Sequence, residues 1–141
     1  MDTQEGGCKC GAIEYSCSGK PINSVFCYCT ECQSLSGSDK WFGIWFPKDS
    51  FTFTKGTPFV STRKGDSGQD MHQMSCEECG DVLCAEVTVG NFYSVSASTL
   101  KNNKTSLPAM LIYTASAPKN AVFPASVPKF KILPPHLGGE T

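Results

Sequence analysis

No run in this chain approaches the roughly 18 consecutive apolar residues that a membrane-spanning helix needs, so no transmembrane segment is expected. There is no basic excess either. Twelve Lys and Arg face thirteen Asp and Glu, for a net charge of -1, which gives no electrostatic reason to expect nucleic acid or an anionic membrane as partner. The first residues, Met1-Asp2-Thr3-Gln4-Glu5, lack the basic start and apolar run of a secretory leader. No stretch sustains a 3.6-residue apolar period, so little helix is expected. Histidine is scarce, at two residues.

Cysteine, by contrast, is abundant: nine residues, an odd number. Without a leader, an odd count argues against a disulfide framework and for metal ligands or reactive thiols in a reducing compartment. The expected location is the cytoplasm, with the nucleus left open.

At 141 residues the chain reads as a single domain, 1–141, whose last part, 118–141, is a proline-rich wrap over the surface. Period-two alternation marks the strands. Ile13, Tyr15 and Cys17 share one face, and Val25 and Phe26 form a short strand. In Trp41-Phe42-Gly43-Ile44-Trp45-Phe46, the two tryptophans fall on one face and Phe42, Ile44 and Phe46 on the other. Phe51 and Phe53 form another short strand, and 59–62 one more. Leu83, Ala85, Val87 and Val89 share a face, and Gly90-Asn91 turns that strand into a hairpin with 92–96. Residues 109–113 read as a last buried strand. The stretches 33–38, 63–70 and 100–106 read as polar loops. Many short strands separated by glycine and proline make an all-β domain of short antiparallel sheets.

Seven of the cysteines fall into three spaced motifs: Cys8-Lys9-Cys10, Cys27-Tyr28-Cys29-Thr30-Glu31-Cys32 and Cys76-Glu77-Glu78-Cys79. In extended backbone, side chains at i and i+2 share a face, so Cys27 and Cys29 present both sulfurs to one side and Tyr28 to the other. A turn through Thr30 and Glu31 returns Cys32 to the same point. Clustered thiols at this spacing point to zinc. Two pairs make one closed tetrahedral site and leave a triplet, and three protein ligands are how a zinc site keeps a position open for water or substrate. A second partition stays open, in which Cys17, Cys84 or a histidine closes the second site and both ions are structural.

The motifs Gly7-Cys8-Lys9-Cys10-Gly11, Cys27-Tyr28-Cys29-Thr30-Glu31-Cys32, Gly37 and Cys76-Glu77-Glu78-Cys79-Gly80, in that order, resemble the glutathione-dependent formaldehyde-activating enzyme family, to which centromere protein V also belongs. The resemblance spans about residues 6–115. It implies a small β-tent-type zinc-binding domain with two Zn²⁺ per chain. Cys8, Cys10, Cys76 and Cys79 would hold a structural zinc, and Cys27, Cys29 and Cys32 a catalytic one. It also implies a carbon–sulfur lyase acting on a thiol–aldehyde adduct such as S-(hydroxymethyl)glutathione, with glutathione as co-substrate. The chain departs from the usual family pattern at Tyr28, where His is common, at Ser75, where Phe is frequent, and at Lys101-Asn102, where an acidic pair is frequent.

Two other functional classes are compatible with clustered cysteines. One is a non-catalytic zinc-binding interaction module, although the chain lacks the basic tail that would suit a chromatin role. The other is a zinc deaminase, whose H-x-E signature is missing. A small-molecule thiol adduct is the expected partner, and a homodimer is compatible with the sequence. For the remaining candidates the plainer roles are favoured: Cys17 and Cys84 as buried apolar residues, His72 on the surface, Arg63 and Lys64 solvated, and the 41–46 run packed in the core with one face bordering the site.

Overall fold

The computed structural model describes residues 3–64, 70–88, 90–101 and 107–132. In chain order its elements are β1 (Thr3–Gly7), β2 (Glu14–Ser18), β3 (Asn23–Cys27), α1 (Thr30–Ser36), β4 (Trp41–Pro47), β5 (Phe51–Lys55), β6 (Phe59–Lys64), β7 (Asp70–Ser75), β8 (Val82–Val87), β9 (Phe92–Ser96) and β10 (Met110–Ile112). A three-stranded sheet runs β1-β2-β5, and a seven-stranded sheet runs β10-β3-β4-β9-β8-β7-β6. The fold is therefore all-β with little helix, as the alternation predicts.

All the strand pairs are antiparallel except β10 with β3, which is parallel in the register Met110↔Val25 to Ile112↔Cys27. That pair brings together segments some 85 residues apart. An unpaired β10 edge would leave a row of open amides. The tail covers it: Leu111 donates to the Pro128 carbonyl at 2.9 Å, and Phe130 donates back to Leu111 at 2.9 Å. The described part of the tail, to Ile132, contains no strand, and residues 133–141 lie outside the described residues.

Strand β4 explains the layout, because both of its faces are buried. Ile44 and Phe46 point toward the small sheet, where they meet Tyr15, Cys17 and Phe51. Phe46 is fully buried, and truncating such a residue to alanine costs about 3–5 kcal/mol. Trp41 and Trp45 point the other way, into a second cluster with Val25, Phe92 and Ile112. A strand covered on both sides reads as a near-continuous apolar run, which is why 41–46 is so aromatic. Gly43 sits between the tryptophans because a Cβ there would collide with the Ser94 hydroxyl and the Trp41 ring. Its absence lets Trp41 Nε1 reach across and donate to Ser94 Oγ at 3.1 Å.

The structure corrects three sequence expectations. Residues 33–38 are not a loop: α1 runs through Ser36 and ends at Gly37, whose φ of 69° closes the helix with a left-handed cap. The 63–70 loop is shorter than expected, since Arg63 and Lys64 finish β6 and Asp70 begins β7; its centre, 65–69, lies outside the described residues. Strands β1 and β7 were not expected at all. Val89, placed by alternation on the Leu83 face, and residues 102–106 of the third loop are likewise outside the described residues.

Two candidate metal centres

The first cysteine cluster joins two turns. Cys8 and Cys10 follow β1, and Cys76 and Cys79 follow β7. Each turn ends in a glycine with positive φ, 79° at Gly11 and 80° at Gly80, a conformation that costs a residue with a Cβ about 1–2 kcal/mol. Gly11 donates to the Cys8 carbonyl at 3.1 Å, and Gly80 to Cys76 at 2.8 Å. The turns are clasped to each other by Asp81, which accepts from the Lys9 amide at 2.8 Å and pairs with the Lys9 ammonium at 3.5 Å.

All four sulfurs lie within 4.8 Å of one another, with Cys8 to Cys10 and Cys10 to Cys76 both at 3.5 Å. Ligand sulfurs about 2.3 Å from a tetrahedral ion are separated by about 3.8 Å, so this set fits a metal ion. Burial pushes the Cys8 thiol up, but the Ile13 amide and the neighbouring thiols outweigh it and bring its pKa down to about 7.

The second cluster is local. Cys27 is the last residue of β3, Cys29 caps the N-terminus of α1, and Cys32 sits in the first helical turn. Cys29 is still extended, at φ -63° and ψ 156°, and its sulfur accepts from the Cys32 amide at 3.3 Å. A sulfur thus takes the capping role usually held by a Ser, Thr or Asp oxygen. Gln33 fixes the helix from beneath, donating to the carbonyls of Tyr28 at 2.8 Å and Ser116 at 3.0 Å.

Cys27 and Cys29 sulfurs are 3.4 Å apart, and all three lie within 4.8 Å of each other. The thiol of Cys27 first, then that of Cys32, stabilises a thiolate at Cys29, helped by the Cys32 amide and the charge of Arg63, and its pKa falls to about 3. Cys27 is correspondingly raised to about 12 by its bond to Cys29. Thiols must lose their protons to ligate a metal, so loading the trio would release protons.

The surroundings differ as much as the ligand counts. The three-cysteine cluster lines a cavity of about 360 Å³. Its apolar walls include Val25, Trp41, Trp45, Met71, Phe92 and Ile112, and its polar members include Glu31, Arg63, Asp70 and Gln73. Of the β4 residues, it is the tryptophan face that borders the site.

The other candidates settle elsewhere. Tyr28 points away from the cluster into the core, fully buried, its ring edge-on to Phe123 at 5.1 Å and its hydroxyl without a hydrogen-bond partner among the described residues. Cys17 and Cys84 are buried between the sheets and belong to neither cluster. His72 lies on the face of β7 opposite Met71 and Gln73, bonded to Thr62 at 2.8 Å and beside Glu86 at 3.9 Å. Lys64 pairs with Asp70 at 3.3 Å, both exposed, but Arg63 is in the cavity and not simply solvated. Its placement follows from the β6-β7-β8 order, which the sequence reading, with Arg63 in a polar loop, did not supply.

Among the described residues no helix is long and apolar enough to cross a membrane. A solved structure of a Rhodobacter sphaeroides protein, a structural-genomics target, shares the fold with a TM-score of 0.56 at 16% identity, over 70% of this chain and 88% of that one. No curated protein matches the chain. The profile of the glutathione-dependent formaldehyde-activating enzyme family matches residues 3–116. With that match over most of its length, and with the cysteine motifs gathered into two clusters able to hold metal, the chain belongs to the glutathione-dependent formaldehyde-activating enzyme family.

Proposed function

We propose that this protein is a zinc-dependent carbon–sulfur lyase that acts on a thiol–aldehyde adduct, S-(hydroxymethyl)glutathione or a related small molecule. The observation that carries the reading is the second cluster. Among the described residues it has three sulfurs and no fourth His, Cys, Asp or Glu ligand, and it lines a cavity. All-sulfur donor sets at these separations suit Zn²⁺. The four-sulfur cluster takes the structural ion, and the three-sulfur cluster takes the catalytic one.

A zinc ion held by Cys27, Cys29 and Cys32 would supply a Lewis acid with one coordination position open toward the cavity. The chain does the rest. The Cys32 amide fixes the Cys29 sulfur, Gln33 fixes the turn that carries all three ligands, and the apolar walls hold the adduct and exclude water. In the synthetic direction the thiol sulfur bonds to the carbonyl carbon, and the thiol proton ends on the former carbonyl oxygen as a hydroxyl. In the reverse direction the C–S bond breaks and that proton returns to sulfur. No electrons are exchanged with a cofactor.

The test is a metal count followed by a screen of thiol–aldehyde adducts on the zinc-loaded protein. Two zinc ions per chain and zinc-dependent turnover of one adduct are expected. Two zinc ions with no turnover of any adduct would favour the interaction module.

A further inference from the structure

We propose that the organic part of the adduct is an apolar body of aromatic size carrying one carboxylate, with Arg63 as the residue that reads the carboxylate. This rests on the lyase reading and narrows its substrate.

Two independent observations support it. The first is an unsatisfied donor. Arg63 lines the cavity, and its Nε is shielded from solvent with no hydrogen-bond partner among the described residues. Among the described residues the carboxylate beside it is that of Glu31, whose Oε2 is 3.7 Å away, beyond hydrogen-bond distance. One terminal nitrogen donates to the Lys64 carbonyl at 3.4 Å. A guanidinium offers five donors in a planar fork matched to a carboxylate, and a shielded donor left unpaired is costly. Glu31 is 54% exposed, so a ligand carboxylate can take its place while it turns to solvent. The second observation is the wall. Trp41, Trp45, Phe92, Met71 and Ile112 present aromatic and aliphatic surface, with Trp45 stacked on Phe92 at 4.2 Å.

Where a tripeptide thiol such as glutathione lay against these apolar walls, away from Glu31, Asp70 and Gln73, its peptide groups would be left without partners, which is penalised. A thiol built on an arene or branched alkyl chain would instead gain the contact area. The cavity, about 360 Å³, falls at the small end of ligand sites, which span roughly 300–1,000 Å³.

The experiment is calorimetric titration of the zinc-loaded protein with three thiols: 4-mercaptobenzoate, its uncharged analogue 4-methylthiophenol, and glutathione. The aryl carboxylate should bind about tenfold or more tightly than either of the others, the scale of one charge-assisted bond. Arg63→Gln should erase that advantage and leave 4-methylthiophenol unchanged, whereas Arg63→Lys should keep part of it because the charge remains. Circular dichroism and zinc content of both variants should match the parent. If glutathione binds most tightly, or if Arg63→Gln weakens both aryl thiols equally, the proposal is overturned. The lyase reading fails separately: the Arg63 pattern without turnover of any adduct would remove that reading alone, and turnover of a glutathione adduct indifferent to Arg63 would remove this one alone.

Discussion

The two cysteine clusters are built from the same side chain and differ in what their geometry constrains. The four-sulfur cluster ties together turns 66 residues apart, Cys10 to Cys76, and so links the end of β1 in the small sheet to the end of β7 in the large one. A metal ion there closes a long loop, and loop-closure entropy rises with length. The three-sulfur cluster closes six residues, Cys27 to Cys32, whose local structure is already set by a helix cap and the Gln33 bonds. An ion there would restrain little of the chain. On the proposed reading the first cluster would hold the fold, while the second sits beside a cavity on a locally hydrogen-bonded turn. A metal site can thus serve stability or chemistry according to how much chain it spans and what borders it.

The largest effect should come from breaking the first cluster. Cys79→Ser should give insoluble or molten protein, since a structural zinc contributes on the order of 10 kcal/mol in small zinc peptides. A soluble, cooperatively melting variant would show that the cluster does not hold the fold. Next comes Cys29→Ser, which removes a sulfur from the cluster and keeps the helix cap, since serine is itself a preferred N-cap. Near-native circular dichroism, about one zinc fewer and loss of turnover are expected. If this variant unfolds as badly as Cys79→Ser, the clusters are equivalent and the interaction module replaces the enzyme.

Smaller changes sharpen the contrast. Asp81→Ala removes the clasp between the two turns and should lower stability by about 1–2 kcal/mol in urea melts without changing activity. Gly80→Ala has free space for its methyl group, so only the left-handed backbone resists it, at about 1 kcal/mol. Tyr28→Phe should be the mildest. Its hydroxyl is buried without a hydrogen-bond partner among the described residues, so deleting it should be neutral or stabilising by up to about 1 kcal/mol, with activity intact. A loss of turnover in that variant would place residue 28 in the chemistry and not in the core.

The two regions were also unequally legible. The four-sulfur turns show themselves in sequence, because each ends in the glycine that its backbone requires. Strands β2, β4, β8 and β9 show because their burial alternates or runs continuously. Helix α1 does not: seven residues are too few to display a period, none of them is buried, and its cap is a cysteine, outside the usual capping set. Only Gly37 marked its end. Strand β7 escaped because its cavity face, Met71 and Gln73, is half-buried and mixed in polarity. Arg63 looked like one of a solvated pair until the strand order placed it beside Cys29. The cavity itself is a product of long-range pairing, β10 on β3 and β7 on β8, which local pattern cannot supply. The cysteine clusters were therefore readable from the chain, and most of what surrounds the three-sulfur cluster was not.

The central claim is that one metal ion holds the fold and the other is free to serve chemistry. Stepwise chelation of the intact zinc-loaded protein, with released zinc, circular dichroism and adduct turnover followed together, tests it most directly. One equivalent should leave first, taking turnover with it while the spectrum stays native, and the second should leave only with loss of the fold. Release of both ions in a single step that coincides with unfolding, or a purified protein holding only one, would contradict the account.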